Sequence, residues 1–187
     1  MAYSDADYLD RFEAILEEGL VKLSSNLSLL EGEMLSSEDI LNKWNDSLMQ
    51  GYVGDAVENF NGYPEVAIAW AAYLGMGVAH DWDADFQLFS KRVYPDYYGP
   101  RGFDDMDEHI VDLIGADESL AVKLRLSLQS LAVAAQGLMR HEGVEANTER
   151  GFYVLVRIYS VMFRLGAAIE LRRLGYRNVP VSGGARA

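Results

Sequence analysis

The sequence predicts an all-α, single-domain bundle of about six helices. Half of its 187 residues are hydrophobic and only four are proline, and in long segments the apolar residues recur every three or four positions, as in amphipathic helices. A chain of this length suits one domain with a substantial core. We expect residues 1–175 to form that domain and residues 176–187 to be a mobile tail, because the tail has little to bury.

The first two helices are predicted from apolar periodicity and from their end signals. Apolar residues at helical spacing predict a helix over about 5–24. The segment SSED (36–39) is typical of a helix start, because a serine hydroxyl and a later acidic side chain satisfy backbone N–H groups there. We expect the second helix to extend to about Phe60, where Asn61-Gly62 turns the chain.

The third helix is predicted over about 64–93 and is Ala/Gly-rich and strongly apolar. Small side chains recur along it every four residues, which lets another helix approach closely; they are Ala67, Ala71, Gly75 and Ala79. We expect this helix to be the central and most buried one. The segment 67–86 (AIAWAAYLGMGVAHDWDADF) is predicted to be continuous helix, buried through Ala79, with Asp83 facing water and Trp82, Phe86 and Phe89 holding its far end to the core.

Three further helices are predicted after an aromatic, irregular segment at 94–105. They cover about 104–114, 118–141 and 147–174. The last one carries two apolar stripes, which predicts contacts on two sides. Because one stripe is enough to fix a helix in its own bundle, the second predicts a homodimer or another protein partner.

Charge divides the chain into two unlike parts. Residues 1–118 hold 25 acidic and 6 basic side chains, whereas residues 119–187 hold 4 acidic and 10 basic ones, for a net charge of −13. This balance argues against a nucleic-acid partner, which requires clustered Lys and Arg. The acidic residues alternate with apolar ones, which also disfavours an acidic mimic of nucleic acid. The two parts are expected to pair, either within the chain or between subunits.

The sequence also predicts a cytoplasmic protein without a membrane contact. It contains no cysteine, which fits a reducing compartment, and its first residues lack the apolar region of a secretory signal. The apolar run 66–79 is shorter than the roughly 20 residues of a membrane span. The run 151–171 contains Arg157 and Arg164, each of which costs about 2.5–3.5 kcal/mol at a bilayer centre.

His80 and Asp81 follow the apolar run, with Asp85 one helical turn further on. The His-Asp pair is similar to the dyad of metal-dependent phosphohydrolases, which are also all-α, and the resemblance covers these two residues. It implies His80 and Asp81 as candidate metal ligands and a metal-bound water as the nucleophile. His80, Asp81 and Asp85 are therefore the candidate catalytic residues. No Walker-type or GxGxxG loop is present, and no cofactor is predicted.

Arginines repeat every seven residues on the last helix, at Arg150, Arg157 and Arg164. Arginines next to apolar stripes need partners, because burying an unpaired charge is costly. Asp81 and Asp85 lie one turn apart without a cation between them, and we expect them to meet Arg157 or Arg164.

Two functions follow from these observations. Extensive apolar helix surface and few catalytic groups favour a soluble bundle that acts through association, as a homo-oligomer or an adaptor, without catalysis. The alternative is a small metal-assisted hydrolase or polar-ligand-binding protein centred on His80, Asp81 and Asp85. The candidate binding residues of the alternative are Glu65, Tyr73, Arg157 and Arg164.

Overall fold

The computed structural model describes residues 3–178 and confirms the all-α bundle. Within that range the helices are α1 (Tyr3–Asn26), α2 (Glu38–Lys43), α3 (Met49–Phe60), α4 (Pro64–Ala84), α5 (Phe86–Lys91), α6 (Met106–Leu113), α7 (Glu118–His141) and α8 (Glu149–Arg173). The same residues form no strand, and their one isolated β-bridge joins Gly99 to Gly102. Most of the predicted mobile tail, from 179 to 187, lies outside the described residues.

Helix α4 is the centre of the bundle, as predicted. It contacts α3, α6, α7 and α8, and its residues from Ala71 through Ala79 are all buried. Where α4 crosses α8, a Cβ atom on Gly75 would overlap the carbonyl oxygen of Phe163, and one on Gly166 would overlap the carbonyl oxygen of Ala72. The two backbones therefore touch directly, with no side chain between them.

The predicted second helix is continuous over 38–60 but contains a π-helical turn, Trp44–Leu48, between α2 and α3. A π turn inserts one extra residue into a helix. Trp44 is buried there, stacks on Phe163 of α8 with ring centroids 4.5 Å apart, and donates its indole N–H to the Ser160 hydroxyl at 3.1 Å. The irregular turn thus coincides with the packing of Trp44 against α8.

The prediction of one helix over 64–93 is wrong. Helix α4 ends at Ala84, and Asp85 adopts an extended backbone with φ −157° and ψ 98°. The Asp85 carboxylate accepts hydrogen bonds from the backbone N–H groups of Gln87 and Leu88 at 3.0 and 3.1 Å, and α5 begins at Phe86. Aspartate favours this capping position over a helix interior, so Asp85 ends one helix and starts another.

The far end of the 67–86 segment follows the prediction in part. Burial extends through Ala79, and Asp83 is exposed. Phe89 is buried and Trp82 is half-buried, whereas Phe86 is 53% exposed and does not hold this end to the core. The break at Asp85 turns the Phe86 ring outward.

Helices α7 and α8 occupy the ranges expected of them. The Asp117 carboxylate accepts from the Leu120 N–H at 2.8 Å at the start of α7, and the Thr148 hydroxyl accepts from the Gly151 N–H at 2.9 Å at the start of α8. Of the described residues, α8 alone is long and apolar enough to cross a membrane, and 67% of its apolar window is buried inside the structure. Apart from Phe152, which is 40% exposed, both of its stripes are buried within the subunit, so they leave little apolar surface for association.

Candidate functional site

His80 and Asp81 contact different partners on different elements. The His80 Nδ1 atom lies 3.0 Å from Glu170 Oε1 of α8. Asp81 is 2% exposed; its Oδ2 atom accepts from the Tyr97 hydroxyl at 3.0 Å and lies 2.9 Å from Arg92 Nε, in an ion pair that is not aligned as a hydrogen bond. The predicted dyad is therefore divided between two clusters.

The Asp81 cluster is a closed group of complementary charges. Burial, and secondly the charge of Asp81, raises the pKa of Tyr97, so the Tyr97 hydroxyl stays protonated and donates to the carboxylate. The Arg92 guanidinium also lies 5.7 Å from the centre of the Tyr97 ring, in a cation–π contact. These contacts neutralise a buried carboxylate, which is the usual requirement for burying one.

The second cluster surrounds Glu170, whose side chain is completely buried. Its two carboxylate oxygens accept from Arg173 Nε and Nη2, each at 2.7 Å, and Arg173 Nη2 also donates to the Ile114 carbonyl at 2.7 Å. The hydrogen-bonded Glu170 carboxylate raises the pKa of Arg173. The sequence analysis missed this cluster. The pattern that indicates it is a single acid, Glu170, in the apolar run AAIEL, with Arg173 three residues later.

Within residues 3–178 no three His, Asp or Glu side chains are grouped so that they could hold a metal ion. Asp81, the predicted ligand, is already engaged by Arg92 and Tyr97. A metal ion at Asp81 would therefore have to compete with these two side chains.

Millimolar magnesium, manganese or zinc is expected to leave the melting temperature unchanged, because a metal would have to displace Arg92 from Asp81. A bound ion would instead stabilise the folded state by mass action. Differential scanning fluorimetry of the native chain and of Asp81→Asn measures this directly. A rise of about 3 °C, which corresponds to about 1 kcal/mol for a chain of this size, that disappears in Asp81→Asn would establish a metal site.

Arg157 and Arg164 pair with α1, and the prediction that they meet Asp81 or Asp85 is wrong. Arg157 lies 3.0 Å from Asp10 and also binds Glu13, and Arg164 lies 2.8 Å from Glu13 and 2.7 Å from Glu17. The acidic first helix and the basic last helix thus pair within the chain. Both arginines therefore have their carboxylate partners on α1.

The other two predicted binding residues, Glu65 and Tyr73, line one cavity between α4 and α7. It has a volume of about 250 Å³, and Trp70, Arg125 and Gln129 also line it. Arg125, which the sequence analysis did not single out, lines the cavity with them. No local pattern could have identified it, because its nearness to Glu65 and Tyr73 depends on how α4 and α7 pack.

The outer face of α7 is open to solvent and partly apolar. Val122 is 39% exposed, Leu126 57% and Val133 51%. The sequence has no acidic residue from 119 to 141, although the chain as a whole is strongly acidic. The exposed cations in this stretch are Lys123, Arg125 and Arg140.

The described residues form an all-α bundle around one apolar core, with ion pairs linking several of its helices. Comparison with protein-family models, with curated protein sequences and with solved structures found no match. A function for this chain therefore has to come from the chemistry of its own surfaces and cavities.

Proposed function

We propose that the protein functions through association, and that its partner is a second copy bound antiparallel along the exposed face of α7. The observation that supports this proposal is a continuous stripe on that face. Exposed apolar residues scattered singly are ordinary on a protein surface, whereas an aligned set is typical of an interaction site.

The stripe has the spacing of a coiled-coil seam. Its members follow one another at intervals of three or four residues, on average 3.5, which is the repeat that keeps a seam facing a partner helix. All of them are exposed: Ser119, Val122, Leu126, Ser130, Val133, Gly137 and Arg140. The small side chains among them would let two helices approach closely.

The stripe is self-complementary when two copies run antiparallel. Centring the pair between Gln129 and Ser130 places Leu126 opposite Val133 of the second copy, and Val122 opposite Gly137. Large residues then face smaller ones along the seam. An isologous interface requires this kind of reciprocity, in which each contact occurs twice.

Charge favours the same register. Glu118 stands at the start of α7, and Arg140 and His141 stand at its end, so antiparallel copies bring the acidic end of one next to the basic end of the other. Opposite charges across an interface set orientation as well as attraction. A parallel pair would instead place Arg140 against Arg140.

Leu126→Glu is expected to convert the dimer into a monomer, because it places a carboxylate in the centre of the seam, where no cation faces it. Analytical ultracentrifugation at a protein concentration on the order of 10 μM, a range suited to modest dimers, should give a dimer dissociation constant at least about tenfold higher than that of the native chain. Val57→Glu is the matched control, since Val57 is 37% exposed on α3, away from the stripe, and this variant should stay dimeric.

Charge reversal tests the register. Glu118→Arg or Arg140→Glu alone should weaken the dimer, and the double variant should recover it, because the pair is restored in the opposite sense. A native chain that sediments as a monomer, or a dimer that Leu126→Glu leaves intact, would contradict the proposal.

A further inference from the structure

The cavity between α4 and α7 combines two opposite charges with an aromatic wall. Glu65 lies in the first turn of α4 and Arg125 lies on α7. Both line the cavity, and neither forms a salt bridge with another residue in the described range 3–178. The Asp81 and Glu170 clusters are closed by internal partners, whereas the half-buried Glu65 and the exposed Arg125 are left to bind other groups.

Tyr73 adds a polar side chain to the lining of the cavity. The residue is 2% exposed, it lines the cavity, and its hydroxyl makes no hydrogen bond to the part of the chain that the structure describes. Burial raises the pKa of Tyr73; Asp107 adds to this effect and Arg125 opposes it. The hydroxyl therefore remains protonated at neutral pH and can donate a hydrogen bond to a molecule in the cavity.

The aromatic wall is held in place before any ligand binds. The Trp70 indole N–H donates to the Phe103 carbonyl at 3.0 Å, and the Trp70 and Tyr73 rings meet edge to face with centroids 5.4 Å apart. Because these rings are fixed, a bound molecule would not bear the cost of ordering them. What Trp70 offers to the cavity is its apolar surface.

The spacing of the lining residues along α4 separates the two charges. Glu65 and Tyr73 are eight residues apart on α4, which is about 12 Å along the helix axis, and the charge of Arg125 is close enough to act on Tyr73. A volume of about 250 Å³ lies just below the range of about 300–1,000 Å³ that holds drug-sized ligands. The cavity therefore suits a small, elongated molecule.

We propose that this cavity binds a small molecule with an amine at one end, a carboxylate at the other and apolar atoms between them. Glu65 binds the ammonium group. Arg125 and the Tyr73 hydroxyl bind the carboxylate, since charge-assisted hydrogen bonds are the strongest of this kind. The Trp70 ring packs against the apolar chain between the two ends.

The test uses 6-aminohexanoate as the probe and norleucine as its isomer, which has the same atoms but carries both charges at one end. Isothermal titration calorimetry should show 6-aminohexanoate binding at least about tenfold more tightly than norleucine. Hexylamine and hexanoate, which keep one charge each, should both bind more weakly than 6-aminohexanoate.

Two surface variants separate the two ends of the site. Glu65→Gln should weaken 6-aminohexanoate and hexylamine by about tenfold and leave hexanoate unchanged. Arg125→Gln should weaken 6-aminohexanoate and hexanoate and leave hexylamine unchanged. Tyr73→Phe, with its fold checked by circular dichroism, should follow the pattern of Arg125→Gln with a smaller loss.

Ligand binding in this cavity does not require the dimer, so each titration is repeated with Leu126→Glu. We expect affinities within about twofold of the native chain, because every proposed contact comes from one chain. Loss of binding in that variant would overturn the single-chain site while leaving the dimer standing. Failure of 6-aminohexanoate to saturate the native protein, equal affinity for norleucine, or an equal effect of both surface variants on all probes would overturn it as well.

Discussion

Replacing Gly166 with alanine should destabilise the fold by about 3 kcal/mol, at the upper end of the usual cost of overpacking a core. The added methyl would overlap the backbone of Ala72 on α4. Backbone atoms cannot change rotamer to make room, so α4 and α8 would have to separate along their whole contact. Urea unfolding followed by circular dichroism measures the loss in free energy of unfolding.

Gly19→Ala on α1 is the matched control. Gly19 is also inside a helix, but a Cβ atom there meets nothing within 4 Å. Alanine should therefore stabilise the protein by about 0.5–1 kcal/mol, through its better helix propensity. If Gly166→Ala were as stable as Gly19→Ala, the close crossing of α4 and α8 would be wrong.

This crossing was predictable from the sequence, because the information for it is local. The four-residue recurrence of small side chains on the third predicted helix identified the face that meets another helix. The range predicted for α7, 118–141, equals the observed one, since Asp117 caps its start and a regular apolar period runs to its end. Helix periods and caps are properties of neighbouring residues, and a single sequence displays them directly.

The break at Asp85 was missed because two local preferences compete there. The apolar period continues past it to Phe89, which favours a helix, whereas an aspartate can cap a new helix by accepting backbone N–H groups. The cap prevails, and α5 begins at Phe86. Two aspartates one turn apart without a cation between them, Asp81 and Asp85, were a signal that the helix is weak at this point.

Ion-pair partners were predicted less well than helices. The prediction that Arg157 and Arg164 have carboxylate partners was correct, but those partners are Asp10, Glu13 and Glu17 of α1. Those acids recur at intervals of three and four residues on one face, in step with arginines spaced by seven, and this match was visible in the sequence. Which acidic helix meets α8 depends on packing, which no single helix pattern contains.

The candidate site shows the same limit. Glu65 and Tyr73 were singled out from α4, and both line the cavity. Arg125 was not, because it lies more than fifty residues away along the chain and reaches them only through the packing of α7 on α4. Likewise, Asp81 pairs with Arg92, a residue that follows α5. Arg92 lies near Asp81 only because the chain turns at Asp85.

Replacing Glu170 with alanine should cost about 3–5 kcal/mol, the range measured when one partner of a buried ion pair is removed. Glu170 is completely buried, and its removal would leave Arg173 without a carboxylate and His80 without its partner at 3.0 Å. Both of these side chains reach solvent in part, so the lower half of the range is expected. Chemical denaturation of the two proteins at neutral pH gives the difference.

Asp5→Ala provides the contrast, because the Asp5–Arg150 pair has a similar distance of 3.0 Å but side chains that are 36% and 57% exposed. Exposed pairs contribute about 0–1 kcal/mol, so this variant should unfold almost like the native chain. Glu170→Gln, which keeps the shape and one acceptor but not the charge, should fall between the two. Equal losses in Asp5→Ala and Glu170→Ala would mean that burial does not govern the strength of these pairs. They would also mean that Glu170 does not stabilise the end of α8 through its contacts with His80 of α4 and with Arg173, which binds the Ile114 carbonyl.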